Sequence, residues 1–369
     1  MGSSKPQDRG LRACSLLLFS LDLLLVNVIH LYLFTRLPLT LYLLVYVDDI
    51  IITGSPTNLV HHLTSQLNSK FSLKQLGLLD YFLGIEVKTL RDRSLLLTQR
   101  KYIRDLLQKT SMSEAQPISS PIASSCKLTK TGSDLFSDPT LYRSVEGALQ
   151  YSTITRPEIS YSVKRVCQFM ANPLDPPWTA VKRILRYLKG TMLHGLHLRP
   201  AALGKPYPLR ALCDADWASD SEDRRSTSGS AIYFGPNLIS WWSQKKQVVA
   251  RSSTEAEYQS LAQTTAELSW IQTLLTEPQV PFITPIIFCH NQRAVAIANN
   301  PVLHARTKHM DIDIFFVREK VLSKQLVVHH ILALDQWADA LTKPLSPTRF
   351  LFLRTKLNVL ETPSKSHPP

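Results

Sequence analysis

The sequence predicts an α/β (α+β) protein whose second half is a mixed five-stranded sheet with flanking helices. Three observations predict it. "LRALCDAD", "SGSAIYFG" and "LISWWSQKKQVVA" are three strand-like segments in series. After them "TPIIFCHN" and "LVVHHIL", both short and β-rich, alternate with segments of helical period. Upstream, two apolar hairpins each lead into a helical segment, and a stretch rich in Pro, Ser and Thr separates the halves. Strands in series followed by helix–strand alternation fit a mixed sheet with helices packed on it.

Taken in order, residues 41–53 read as strand–turn–strand. "SPTNLVHHLTSQLNSKF" then places Leu59, Leu63, Leu67 and Phe71 on one helical face. "YFLGIEVKTL" and "SLLLTQ" flank the charged turn "RDR" as a second hairpin, and "KYIRDLLQKT" returns to helix. Residues 115–140 read as a linker. Residues 141–170 and 178–188 are two helical stretches separated by "ANPLDPP", within a helical region expected over 141–200. In the final unit, 205–361, the helices are "TEAEYQSLAQTTAELSWIQTLL", "NQRAVAIANN", "HMDIDIFFVREKVLSKQ" and a last one, "DQWADALTK". Residues 362–369 read as a disordered tail, and no internal repeat is visible.

A chain of 369 residues has room for two or three domains, each large enough to bury a core. With 44% hydrophobic and 19% charged residues it is globular rather than disordered. The net charge of +13 favours an anionic partner, nucleic acid or a membrane surface. Five scattered cysteines without a CxxC pair argue against a disulfide framework or a zinc site and for a reducing compartment. Residues 15–34, "SLLLFSLDLLLVNVIHLYLF", are long enough to span a bilayer. Asp22 near the middle costs roughly 2.5–3.5 kcal/mol on insertion scales, so the stretch reads instead as a buried or ill-defined segment. No small-residue cleavage site follows it, and cytosol is the default compartment, with the nucleus open.

Asp48 and Asp49, in "LLVYVDDIIITG", are the first chemical feature. Adjacent carboxylates repel each other and resist desolvation, and divalent ions held between them relieve both. Magnesium takes oxygen ligands and keeps water and phosphates as the rest. The alternative is a polar turn between two strands, although the isoleucines straight after the pair favour the metal reading.

"YLLVYVDDIIITG", "KFSLKQLG", "DYFLGIEV" and "LTQRKYIRDLL" resemble the palm-to-thumb part of a copia-type retrotransposon reverse transcriptase. "LYRSVEGALQYSTITRPEISYSVKRVCQFM" and "WTAVKRILRYLKGT" resemble the segment that follows it in those polyproteins. "CDADWASDSEDRRSTSGSAIYF", "SSTEAEYQSLAQTTAELSWIQTLL", "TKHMDID" and "ADALTKPL" resemble their RNase H domain. The resemblance runs from about residue 41 to 360. It implies a truncated reverse-transcriptase palm and thumb over 41–114, then a helical connection, then an RNase H-like domain. In that family the paired aspartates join a third carboxylate from an earlier palm strand. Only Asp8 and Asp22 lie upstream here, neither in such a motif, so no DNA polymerase activity is expected. Residues 1–40, Leu-rich and unassigned, do not resemble the family and are consistent with a shifted reading frame.

In the last unit the resemblance implies RNA-strand hydrolysis by two metal ions, magnesium or manganese, held by carboxylates from separate elements. The candidates are Asp214 in the opening strand, Glu257 early in the long helix, and Asp339 in the final helix. Each has an alternative. Asp214 could be a strand-end acid with Asp216 as its rival. Glu257 could close a capping box with Thr254, a pattern that Ser252 and Glu255 fit as well. Asp339 could complement a helix dipole. The family's fourth carboxylate precedes "NQ", and here His290 stands in that place, bringing no negative charge and a nitrogen that magnesium disfavours. Alternatively His290 only caps a strand and hydrogen-bonds nearby; either way a magnesium site loses a charged ligand, and activity is expected to fall severely. Glu146, where the family carries an apolar residue, is a second departure.

Lys164, Arg165, Lys182, Arg183, Arg186 and Lys189 lie among aromatic and apolar residues in "VKRVCQFM" and "VKRILRYLKG". Lys182, Arg186 and Lys189 fall near one helical face suited to a phosphate backbone, or form an ordinary solvated face. "SWWSQKK" adds Trp241, Trp242, Lys245 and Lys246. The functions in competition are an RNA–DNA hybrid ribonuclease and a catalytically dead nucleic-acid-binding remnant, with other polyprotein products as partners in trans. An integrase or resolvase ranks last, since it would place Glu where Asp339 stands.

Overall fold

The computed structural model describes residues 24–26, 31–36, 39–46, 49–54, 57–71, 74, 77–126, 128–129, 134–200, 206–277, 279–300 and 310–362. They form two compact units, residues 1–82 with 271–280, and residues 83–270 with 281–369.

The first unit holds an antiparallel sheet in chain order, β1 (Leu24–Val26), β2 (Leu31–Arg36), β3 (Leu39–Tyr46) and β4 (Asp49–Gly54). Alternate residues of β3, Leu41, Leu43 and Val45, bury one face of the sheet. Helix α1 (Thr57–Lys70) covers that face with Leu63 and Leu67, and Leu59 and Phe71 join the cluster. β5 (Tyr81–Phe82) is the last piece before the second unit. Of residues 15–34, which are long enough to span a bilayer, only 24–26 and 31–34 are described, and these are strand. Among the described residues no helix is long and apolar enough to cross a membrane.

The second unit begins with a hairpin, β6 (Ile85–Thr89) and β7 (Leu95–Thr98). Its turn is fixed by Asp92, whose Oδ1 accepts from the Ser94 amide (3.1 Å) and hydroxyl (2.5 Å). Helices α2 (Arg100–Lys109), α3 (Pro139–Ser152), α4 (Ser160–Cys167) and α5 (Asp175–Gly190) follow. They share one apolar core, to which Ile103, Leu107, Tyr142, Val145, Val166, Ile184 and Leu188 contribute at helical spacing. The helix expected over 141–170 ends at Ser152 and resumes at Ser160; between them Arg156 leaves helical backbone, because Pro157 disfavours it in the residue before and offers no amide. The break is fastened internally: Arg156 donates to Glu158 Oε1 (2.8 Å) and to the Thr191 carbonyl (3.0 Å), and Tyr187 donates to Glu158 (3.1 Å).

Residues 115–126 lie against α5. Arg186 donates to the Gln116 carbonyl (2.7 Å) and Arg183 to the Ser120 hydroxyl (3.1 Å). A Cβ on Gly190 would sit 2.8 Å from Pro117 Cβ, so the approach needs glycine. Strand β8 (His194–Leu198) then pairs with β7.

The mixed sheet contains β9 (Tyr207–Asp216), β10 (Thr227–Phe234), β11 (Asn237–Lys245), β12 (Phe282–Cys289) and β13 (Val327–His330), ordered β11-β10-β9-β12-β13. β9, β10 and β11 form an antiparallel meander, and β12 and β13 add in parallel. Parallel addition needs crossovers. Between β11 and β12 runs α6 (Ser253–Thr276), and between β12 and β13 run α7 (Gln292–Asn299) and α8 (Asp311–Leu322). The expected last helix, "DQWADALTK", is instead a 3₁₀ turn over Trp337–Leu341. Beyond it lie a helix and a strand with no counterpart in the sequence reading, α9 (Pro347–Lys356) and β14 (Val359–Glu361), and β14 pairs with β8.

Candidate functional site

The site stands where β9 and β12 end side by side. Cys213 and Cys289 are opposite each other in the parallel ladder, so Asp214 on β9 and His290, the first residue past β12, come next to each other. Asp214 is fully buried. The Ser260 hydroxyl, on α6, donates to the Asp214 carbonyl (2.9 Å) and locks that helix to the strand end.

Glu257 arrives from α6, and the start of that helix settles which acid caps it. The Ser252 hydroxyl accepts from the Glu255 amide (3.2 Å), and Glu255 Oε2 accepts from the Arg251 amide (2.8 Å). Glu255 therefore closes the capping box and Glu257 is left to turn inward. There Glu257 Oε1 accepts from the Ala215 amide (3.4 Å), and Oε2 from the Cys289 thiol (3.7 Å).

His290 Nδ1 lies 3.1 Å from Asp214 Oδ1 and 3.3 Å from Glu257 Oε1. Neither Asp214 Oδ1 nor His290 Nδ1 has an aligned hydrogen-bond partner among the described residues, although both atoms are buried. One donor atom from each of Asp214, Glu257 and His290 lies within 4.8 Å of the others. Two carboxylates and an imidazole that converge in this way can hold a divalent cation. The two-oxygen, one-nitrogen donor set suits manganese or zinc better than magnesium.

Asp339 lies outside that trio. Its Oδ1 is 2.8 Å from Lys343 Nζ and its Oδ2 is 3.5 Å from an Arg349 nitrogen. Lys343 Nζ also stands 3.6 Å from Asp214 Oδ2, which accepts a short hydrogen bond from the Thr342 hydroxyl. The segment comes this close because of Gly229, which faces Asp214 across the ladder. A Cβ at Gly229 would meet Leu341 Cβ at 2.7 Å and Thr342 Cγ2 at 3.0 Å. Gln336 holds the same segment through the Cys213 carbonyl (2.9 Å).

Burial alone would raise the Asp214 carboxyl, but the His290 ring and the Lys343 ammonium outweigh it and hold Asp214 below the ordinary range. Burial and the neighbouring Asp214 charge push Glu257 well up. His290 is raised by its contact with Asp214 against the pull of burial. Asp339 is raised by burial and by Asp214, with Lys343 opposing. Asp216, half-buried at the end of β9, is raised by burial.

Thr342, Lys343, Arg349 and Gly229 were not among the residues singled out from sequence. The Asp339–Lys343 spacing of four was the one available signal for Lys343. Asp48 lies outside the described residues, while Asp49 is exposed at the start of β4, opposite Tyr46. Of the six basic residues expected to meet nucleic acid, Arg165 pairs with Asp220 (3.1 Å), Arg183 donates to Ser120 and Arg186 to the Gln116 carbonyl. Lys164 and Lys182 are exposed, Lys182 over the Trp178 ring at 5.9 Å, and Lys189 is half-buried. Lys245 pairs with Asp220 and Asp223 (2.7 and 2.8 Å), and Lys246 with Gln263 (2.7 Å).

A meander of three antiparallel strands with two parallel additions, a long helix across it and acids at the end of its central strand define an RNase H-like fold. Residues 28–124 match the family model of the reverse transcriptase (RNA-dependent DNA polymerase). That match opens ahead of the motif resemblance at Leu41 and takes in residues 28–40 of the stretch that carried no assignment.

Among curated proteins, the retrovirus-related Pol polyprotein from transposon RE2 of Arabidopsis thaliana is 47% identical over 324 residues, covering 88% of this chain and 22% of that protein. The corresponding polyprotein from transposon TNT 1-94 of Nicotiana tabacum is 36% identical over 319 residues, 84% of this chain and 24% of that one. An uncharacterized mitochondrial protein of Arabidopsis thaliana is 46% identical over 231 residues, 62% of this chain and 94% of that protein. Among solved structures, LC11-RNase H1 in complex with an RNA/DNA hybrid matches 36% of this chain and 93% of its own at 14% identity and a TM-score of 0.30. The protease–reverse transcriptase of prototype foamy virus matches 85% of this chain and 58% of its own at 12% identity and a TM-score of 0.26. The chain belongs to the retrovirus-related Pol polyprotein family of copia-type transposons, and spans 22% of the length of the first Arabidopsis relative.

Proposed function

We propose that the site at the end of β9 and β12 hydrolyses the RNA strand of RNA–DNA hybrids with the help of a divalent metal ion, and that His290 weakens it. The observation that carries this reading is the convergence of Asp214, Glu257 and His290, each of which offers one ligand atom within 4.8 Å of the others. A bound divalent ion would supply Lewis acidity and lower the pKa of an attacking water. Asp214, Glu257 and His290 would hold it. Thr342 fixes the orientation of Asp214 by donating to Oδ2. Lys343 and Arg349 surround Asp339 with positive charge. A carboxylate in place of His290 would add one negative charge and an oxygen donor, both of which magnesium favours.

A second reading, a nucleic-acid-binding remnant without activity, has its own observation. Lys343 already neutralises part of the carboxylate charge from within the protein, at 3.6 Å from Asp214 and 2.8 Å from Asp339. The full chain assayed on an RNA–DNA hybrid with magnesium and then with manganese separates the two. Cleavage is expected to be weak, stronger with manganese, abolished in Asp214→Asn, and raised at least about tenfold with magnesium in His290→Asp. Binding of the hybrid without cleavage by either the natural chain or His290→Asp would leave the remnant reading standing.

A further inference from the structure

We infer that Lys343 is a built-in counter-ion that takes the place between Asp214 and Asp339, so that the chain accepts one divalent ion, at Asp214, Glu257 and His290, and not two. The inference rests on the metal reading of the site and deepens it.

The geometry divides Asp214 between two sides. Oδ1 faces His290 and Glu257 and lacks an aligned partner. Oδ2 is engaged by the Thr342 hydroxyl and lies 3.6 Å from Lys343 Nζ. The same ammonium reaches Asp339 Oδ1 at 2.8 Å. Two carboxylates that share one ammonium, from β9 and from a 3₁₀ turn, form a place that favours a cation, since buried like charges resist each other. Here the filling cation is covalently attached.

Three features keep it there. Gly229 leaves room for the backbone at residues 341–342 to press onto β9. Gln336 pins the turn to the Cys213 carbonyl at 2.9 Å. Arg349 fixes the far side of Asp339 through Oδ2, while donating to the Leu334 carbonyl at 2.7 Å. The lysine is therefore held by a rigid segment at a spacing of four from Asp339, and its effective concentration at the site is far above that of a free ion. A second divalent ion would have to displace the ammonium or sit beside it, and both oppose binding.

The test counts ions rather than turnover. The full chain is titrated with Mn²⁺ in the absence of nucleic acid, by calorimetry and by the electron paramagnetic resonance signal of free Mn²⁺. One ion per chain is expected for the natural protein, one for Lys343→Arg, which keeps the charge, and two for Lys343→Gln. Thermal melting of each variant checks that it is folded, and the count for the natural chain decides the matter even if Lys343→Gln does not fold. Two ions on the natural chain overturn the inference while leaving the metal reading intact. One ion on folded Lys343→Gln overturns it as well. No Mn²⁺ bound by any form overturns the metal reading itself and the inference with it.

Discussion

Glu146 carries a buried carboxyl with no cation beside it among the described residues. It is fully enclosed between α3 and α4, its Oε2 accepts from the Cys167 thiol at 2.8 Å, and its Oε1 has no partner there. Burial pushes the carboxyl from 4.5 up to about 7, with the thiol bond pulling the other way. Between those two values the folded chain binds more protons at this residue than the unfolded chain does. Stability from Glu146 is therefore fully present below the unfolded value and is lost as pH rises through the folded one. The expected loss is on the order of 3 kcal/mol by mildly alkaline pH, from a shift of this size. Denaturant unfolding of the natural chain and Glu146→Gln across pH 5 to 8.5 tests it: the difference between them should grow with pH in favour of Gln. A pH-independent difference would mean that the carboxyl finds water or a partner in solution. His290 is the other residue where the resemblance to the family fails, but it differs in kind, because its ring nitrogen lies within 3.3 Å of two carboxylates rather than in an apolar core.

At the scale of elements, the site depends on a strand position without a side chain. Gly229→Ala puts a Cβ against Leu341 and Thr342, and either β10 or the 3₁₀ turn must shift. Overpacking of this kind typically costs about 1–3 kcal/mol, and it should draw Thr342 and Lys343 away from Asp214. A lowered melting temperature together with altered Mn²⁺ binding is the expected result; a melting change with unaltered ion binding would place the shift in β10 instead. What the sequence reveals of these elements follows their periodicity. The five strands of the mixed sheet and helix α6 announce themselves by length and pattern, and the structure has them in those places. The segment that carries Asp339 does not, because "DQWADALTK" has a helical composition but only five of its residues turn, as a 3₁₀ element. Helix α9 and strand β14 have no counterpart in the sequence reading, although elements as short were read elsewhere. The break at Arg156 follows from Pro157 and could have been read. Asp214, Glu257 and His290 were legible through motif resemblance. Their convergence depends on the pairing of Cys213 with Cys289, which no local pattern encodes.

Over the whole molecule, the charge of +13 invites a nucleic-acid partner, but it does not say which cations would meet one. The structure divides them. Arg165 is paired with Asp220, and Arg183 and Arg186 donate to Ser120 and the Gln116 carbonyl, so these guanidinium groups help hold the second unit together. Lys164 and Lys182 remain exposed. A cation that neutralises a phosphate releases a counter-ion, so removing one such cation should flatten the dependence of log affinity on log salt by about 1. Replacing Lys164 and Lys182 together by Ala is therefore expected to reduce that slope by about 2 for an RNA–DNA hybrid, with little change in melting temperature. Arg183→Ala should do the reverse, lowering the melting temperature while leaving the slope in place, because its hydrogen bond to Ser120 fastens residues 115–126 to α5. Fluorescence anisotropy over a salt series, with a melting curve for each variant, reads both quantities. A slope unchanged by the double lysine substitution would show that these helices present an ordinary solvated face and that the anionic partner, if there is one, binds elsewhere. The arginines would still be needed, since their partners lie within the protein.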